Sequence, residues 1–216
     1  MNELNLITLT EPRSAAAEAY RALRMNLAFT SLDKPLESLV VSSPAPNATK
    51  SHVAANLAVV MAQAEQRVIL ADADLRRPEL HELFGVAQEP GITDVMLRQQ
   101  LGEIPLHDTD VPRLQVLTSG ALPPNPADIL DSQKMRDLLA KLREMADVVI
   151  LDAPPVTVAV DASVLAAQTD GLLLVVRAGH SRRDRIKQAK ELLDRFRVRL
   201  LGAVLTDAPE GGLTGY

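Results

Sequence analysis

Residues 38–51 read SLVVSSPAPNATKS: an apolar run, a loop punctuated by Pro44 and Pro46, and then Lys50-Ser51 opening a stretch of helical spacing. Comparable runs recur at 67–72 (RVILAD), 114–118 (LQVLT), 147–152 (DVVILD), 171–177 (GLLLVVR) and 198–206 (VRLLGAVLT). The central runs do not alternate with polar residues, the pattern of strands covered on both faces. Between the runs, residues 50–64, 127–145, 161–168 and 182–196 have the length and 3.6-residue spacing of helices. Strand and helix alternate, so the expected architecture is α/β: a doubly wound, mainly parallel sheet with helices on both faces. A helix over 11–30 precedes it as an appendage, with Ala16, Tyr20, Leu23 and Leu27 on one face. Residues 78–112 are less regular, with short helices through Phe84 and around 93–100. The prolines at 123–126 (PPNP) break the chain before the 127 helix, and the Gly-rich end, 208–216, reads as a flexible tail. No repeat or linker divides residues 1–216, and one domain is expected.

Composition narrows the function classes. The 216 residues carry 23 Lys+Arg against 28 Asp+Glu, a net charge of −5 that disfavours nucleic acid as principal partner, because phosphate neutralisation supplies most non-specific affinity. Two Tyr, three Phe and no Trp are too few for base-stacking platforms. Cysteine is absent, which excludes disulfides, thiolate metal sites and a cysteine nucleophile, and suits a reducing compartment. The N-terminal residues MNELNLITLTEPRS lack a basic cap followed by an apolar core, and no apolar run approaches the ~18 residues of a membrane span, so a cytoplasmic location is expected.

In a doubly wound sheet, ligands sit beyond the carboxyl ends of the central strands. Three segments converge there: Pro46-Asn47-Ala48-Thr49-Lys50-Ser51-His52, Asp72-Ala73-Asp74-Leu75-Arg76 and Asp152-Ala153-Pro154-Pro155. The first has the position and the Lys-Ser ending of a phosphate-binding loop. Together they offer a lysine for phosphate charge, a hydroxyl for Mg²⁺ and three carboxylates for metal or general-base work. The plainer reading makes Ser51 a helix cap and Asp72, Asp74 and Asp152 strand-end turn residues.

With Glu18-Ala19-Tyr20-Arg21-Ala22-Leu23-Arg24, the stretches VILADADLRRP (68–78), DVVILDAPPV (147–156) and DGLLLVVRAG (170–179) resemble the bacterial tyrosine kinases of capsule and exopolysaccharide synthesis, a branch of the MinD/ParA-like P-loop ATPases. The likeness covers nearly the whole chain. It implies a P-loop NTPase fold, with Lys50, Asp72, Asp74 and Asp152 as catalytic residues and residues 46–52 as the nucleotide loop. Ser51, Asp72 and Asp152 are then the Mg²⁺ ligands. It further implies self-association into a homo-oligomer through Glu18, Arg21 and Arg24. The implied partner is the cytoplasmic tail of a membrane-embedded polysaccharide co-polymerase, which recruits the chain to the inner face of the membrane.

One departure changes the expected activity. The family's loop is Pro-Gly-Glu-Gly-Lys-Ser-Thr, whereas here both glycines are missing, and the first glycine of the whole chain is Gly85. Glycine serves in such loops because the backbone takes positive φ and passes close to phosphate oxygens. Asn47 tolerates a left-handed conformation. Thr49, β-branched, is expected to be strained by about 1–3 kcal/mol there and to put its Cβ where phosphate lies, and His52 to add bulk beside the same site. Losing three charge-assisted backbone contacts costs about 4.5–9 kcal/mol, at least a thousandfold in affinity. The family's adenine-reading Asn is replaced by Thr206-Asp207, and of its C-terminal tyrosine cluster only Tyr216 remains as phosphoacceptor. The leading expectation is a kinase-like partner protein of polysaccharide synthesis and export with phosphotransfer largely lost and no tightly bound cofactor. The alternatives are an active tyrosine autokinase using ATP and Mg²⁺, and a ParA/MinD-like positioning ATPase.

Two further features are assigned no catalytic role. His81 and His180 read as surface residues and His107 falls in the irregular region, so no metal cluster is suggested. Arg182, Arg183, Arg185, Lys187 and Lys190 form a basic run, which reads first as a solvated helix face and second as a contact for anionic lipid or an acidic loop.

Overall fold

The computed structural model describes residues 6–30, 35–46 and 49–208. Asn47 and Ala48 of the loop, and residues 209–216 of the expected tail with Tyr216, lie outside them. The elements run α1 (Ile7–Thr10), α2 (Ala15–Phe29), β1 (Ser38–Ser42), α3 (Thr49–Gln63), β2 (Val68–Asp72), α4 (Leu80–Phe84), α5 (Ile92–Leu97), β3 (His107–Asp108) and β4 (Leu114–Leu117). They continue with α6 (Pro126–Leu130), α7 (Gln133–Met145), β5 (Val148–Asp152), α8 (Asp161–Ala166), β6 (Leu172–Arg177), α9 (Arg183–Arg195) and β7 (Leu200–Thr206).

The strands form one sheet in the order β3-β4-β2-β5-β1-β6-β7. Every pairing is parallel except β3 with β4. All residues of β1, β2 and β5 are buried, as their uninterrupted apolar runs require. Successive residues feed opposite layers: Val149 and Leu151 of β5 pack with α7, α8 and α9, while Val148 and Ile150 pack with α2, α3 and α4. The doubly wound architecture follows from that alternation. Register sets the position of the carboxylates. Asp72 pairs with Asp152 across β2 and β5, and Val41 of β1 lies on the other side of Asp152, so the last residues of three strands meet at one edge.

Three expectations are corrected. The 127–145 helix is two helices, because Ser132 caps α7 by accepting from the Met135 amide at 3.1 Å. The N-terminal helix is no appendage, nor does it span 11–30. It is α1 followed by α2, and its inward face carries Ala17, Tyr20, Leu23 and Leu27, with Ala17 in the place expected of Ala16, which is exposed. From residue 53 to 62 every position of α3 is buried, as befits a helix with the sheet beneath and α1 and α2 above. A polar lock holds this layer: the buried Asn56 Oδ1 accepts from the Thr8 amide at 3.0 Å and the Thr8 hydroxyl at 2.8 Å, while Asn56 Nδ2 donates to the His52 carbonyl at 2.8 Å. His81, expected at the surface, is half-buried.

Asn56→Leu strands two buried donors of Thr8, and the expected loss of unfolding free energy is about 2–4 kcal/mol in urea titration. A loss under about 0.5 kcal/mol would show that α1 does not depend on this lock.

Candidate functional site

The chain reverses direction beyond β1, β2 and β5, and each reversal delivers one part of a charged cluster. α3 begins at Thr49, so Lys50 and Ser51 stand in its first turn, both buried. The Lys50 ammonium lies 2.9 Å from Asp74 Oδ2, 3.1 and 3.2 Å from the two Asp152 oxygens, and 3.2 Å from Ser51 Oγ, with only 5% of the residue exposed. Ser51 Oγ donates to Asp152 Oδ2 at 2.6 Å. Asp72 is held differently. Its Oδ2 accepts from the Glu79 and Leu80 amides at 3.1 and 2.9 Å, so it pins the entry to α4 while remaining next to Asp152. Asp74 Oδ1 accepts from the Arg76 and Arg77 amides.

The loops are stitched together. Ser42 Oγ donates to the Pro154 carbonyl at 2.7 Å and Thr157 Oγ1 to the Pro44 carbonyl at 2.6 Å, joining the segments after β1 and β5. Arg76 forks Asp161 through Nε at 2.8 Å and Nη2 at 3.2 Å. Asp161 is fully buried at the start of α8, so the fork ties the loop after β2 to the segment after β5. Neither Arg76 nor Asp161 was singled out by sequence reasoning. The arginine stands within a quoted motif, but its partner lies 85 positions away and looked like the first residue of a helix.

Three carboxylates against one ammonium leave the cluster negative. Burial, then the adjacent Asp152 carboxylate, push the Asp72 carboxyl well above its ordinary range, against the Leu80 amide and Lys50. Burial also raises Asp152, partly opposed by Lys50 and the Ser51 hydroxyl. Burial pulls the Lys50 pKa down, but Asp152 and Asp74 outweigh it and hold the ammonium above its usual pKa.

Among the described residues no three His, Asp or Glu side chains form a protein-only metal cage. Mg²⁺ takes one or two carboxylates and leaves its other positions to phosphate and water. Asp152 and Ser51, already within hydrogen-bond distance of each other, fit that role, and the surplus negative charge fits a cation. A cleft of about 420 Å³ opens onto the cluster, lined in part by Pro46, Lys50, Asp74, Arg76 and Pro154.

Thr49 differs from expectation. Thr49 is helical, and among the described residues no position before Glu65 has a left-handed φ, so the anticipated strain at Thr49 is absent. Thr49 and His52 line a separate hollow of about 430 Å³ with Arg177, Thr206 and Asp207. Thr49 Oγ1 lies 3.3 Å from Thr206 Oγ1. There the Arg177 guanidinium pairs with Asp207 at 2.5 Å. The oligomer candidates form a stripe on α2: Arg21 bonds Glu18 at 2.8 Å and the Pro12 carbonyl at 2.5 Å, and Arg24 reaches Met25 Sδ at 3.4 Å.

Residues 37–206 match the ParA family model, described as NUBPL iron-transfer P-loop NTPase. The chain has no cysteine with which to hold an iron–sulfur cluster. Tyrosine-protein kinase YwqD of Bacillus subtilis (strain 168) is 40% identical over 201 residues, which are 93% of this chain and 85% of YwqD. The chain belongs to the bacterial tyrosine-protein kinase family. Among solved structures, the chimerical protein CapA2B2 superposes with a TM-score of 0.88 at 35% identity, covering 93% of this chain and 88% of the chimera. The kinase domain of Escherichia coli ETK gives 0.87 at 31% identity, covering 98% of this chain and 84% of that domain. Another relative is longer: etk of E. coli (strain K12) is 32% identical over 211 residues, and the chain spans 29% of it. Lys50, Ser51, Asp72, Asp74 and Asp152 therefore sit together at the strand ends of a kinase-family fold.

The raised Asp72 carboxyl has a signed consequence. The folded protein holds that proton at higher pH than the unfolded chain, so the group's stabilising contribution is full below about 3.8 and is lost as pH climbs through the folded value. Asp72→Asn is expected to raise the melting temperature at mildly alkaline pH, with the advantage shrinking as wild type takes up its proton on acidification. A variant less stable at every pH would mean that the cluster requires this negative charge.

Proposed function

We propose that this chain is a kinase-fold regulator of bacterial polysaccharide synthesis and export in which phosphotransfer is attenuated. The observation that carries the reading is the condition of Lys50. Its ammonium is buried among Asp74, Asp152 and Ser51, at the foot of a loop that contains no glycine. A triphosphate must draw the lysine away from two carboxylates and must do so without the side-chain-free backbone that offers consecutive amides to phosphate oxygens. The acidic half of a nucleotide site is retained while its phosphate-wrapping half is weakened.

The assembled acidic cluster supports one second reading, an active tyrosine autokinase. In it Lys50 neutralises the phosphates, Ser51, Asp72 and Asp152 hold Mg²⁺, and Asp74 or Asp72 takes the proton of a tyrosine hydroxyl. Bound Mg²⁺ supplies charge neutralisation on the phosphates. The acceptor is Tyr216 or a tyrosine of a partner. Under either reading the family resemblance assigns the partner role to the cytoplasmic tail of a membrane-embedded polysaccharide co-polymerase, and the partly exposed Glu18–Arg21–Arg24 stripe suits contact with a second copy.

Calorimetric titration with Mg-ATP is expected to give no binding in the micromolar range. Micromolar affinity would overturn the attenuated reading, and phosphate on Tyr216 that vanishes in Lys50→Met would establish the active one. For the stripe, Arg21→Glu with Arg24→Glu is expected to lower the mass measured by light scattering toward that of a monomer; an unchanged mass would remove this face from the assembly.

A further inference from the structure

Residues 195–199 read RFRVR and make the tight turn between α9 and β7, closed by the Arg197 amide on the Asp194 carbonyl at 3.0 Å and the Val198 amide on the Leu193 carbonyl at 2.9 Å. Val198 turns inward and is buried, while Arg195, Phe196, Arg197 and Arg199 stay exposed. Arg199 Nη2 donates to the Thr30 carbonyl at 2.6 Å, which brings the end of α2, with Phe29, to the same corner. Of the three phenylalanines in the chain, Phe84 is buried and the other two are at this corner, Phe29 62% and Phe196 38% exposed. Leu200 beside them is 39% exposed. Among the described residues Arg195 and Arg197 have neither an ion pair nor a side-chain hydrogen bond, and the adjacent Asp194 is taken by Lys190 at 2.7 Å. A chain of net charge −5 thus carries three exposed arginines and two exposed phenylalanines on the segments that the Arg199–Thr30 bond brings together.

We propose that this corner is a direct docking surface for an anionic phospholipid bilayer. At a bilayer surface the phosphates lie just above hydrocarbon, so guanidinium groups pair at one depth while phenyl rings enter at the next. The corner presents both kinds of group together, and its charge is complementary to anionic headgroups. An acidic protein surface satisfies the arginines but gives two separated phenyl rings nothing in particular to enter. The position also suits docking. The corner lies at the start of β7 and before β1, whereas the Lys50 cluster lies beyond the carboxyl ends of β1, β2 and β5, so a chain seated this way turns the cluster away from the bilayer. This surface is separate from the Glu18–Arg24 stripe, and its argument does not depend on whether the nucleotide site is active.

Sedimentation of the purified chain with phosphatidylserine-containing phosphatidylcholine vesicles, against pure phosphatidylcholine vesicles, tests the proposal. Binding is expected only to the anionic vesicles and is expected to weaken with salt. Arg195→Glu with Arg197→Glu should cost at least about twentyfold in partitioning, and Phe29→Ser with Phe196→Ser about tenfold at unchanged charge, each with an unaltered melting temperature as the control on folding. The same reversal at the other end of α9, Arg182→Glu with Arg183→Glu, should cost clearly less. No binding to anionic vesicles at low salt would overturn the proposal. Equal losses at both ends of α9, or no loss in the Phe variant, would do the same, since the contact would then be diffuse electrostatics. Binding of polyglutamate without binding of vesicles would assign the corner to an acidic protein surface instead and reject the bilayer.

Discussion

Three carboxylates and one ammonium occupy the space beyond β1, β2 and β5, and the register of the sheet leaves them nowhere else to go. Asp72 and Asp152 end adjacent parallel strands in direct register, so their backbones are about 4.8 Å apart. Asp74 follows after one residue. Lys50 enters on the first turn of α3, where its ammonium pairs with both Asp74 and Asp152. Neutralising one charge of three leaves a buried excess of negative charge, which is costly in a low-dielectric interior unless a cation or proton offsets it. The surrounding framework resists relaxation of that excess. The Asp74 amide bonds, the Arg76–Asp161 fork, and the two hydroxyl-to-carbonyl links between the β1 and β5 loops hold the groups in place.

Much of this was legible in the sequence. Fully apolar runs identified the buried strands, and the alternation with helices identified the layers, because a parallel sheet has no solvent-facing side to write into its pattern. The carboxylates were legible because a residue that closes a central strand has its place fixed by the strand. Long-range pairing left weaker traces. The Thr8–Asn56 lock joins residues 48 positions apart, and nothing local to α1 or to Asn56 signals it. The same holds for Asp161, whose part in the site depends on an arginine from another loop. The break at Ser132 was missed because apolar periodicity continues across it, and only the serine hydroxyl on the Met135 amide separates the two helices.

Thr49 shows where local reasoning applied a true rule to the wrong residue. A β-branched side chain in a left-handed conformation is strained, but Thr49 already belongs to the helix, and its hydroxyl faces Thr206 and not the acidic cleft. The lack of glycine bears on the chain before it, from Pro46 to Ala48. Helix α3 begins on the cleft side of the sheet, and a helix N-terminus favours an anion. Against that stands a lysine already committed to two carboxylates. The balance between these two effects distinguishes a weakened phosphate site from a working one within a kinase-family fold.

The most direct test of that balance is a crystal structure grown with excess Mg²⁺ and a non-hydrolysable ATP analogue. The account expects the Lys50 ammonium to remain on Asp74 and Asp152, with no triphosphate wrapped by the main chain of residues 46–51. A triphosphate held by those amides, with Lys50 turned onto its oxygens and Mg²⁺ on Ser51 and Asp152, would contradict it.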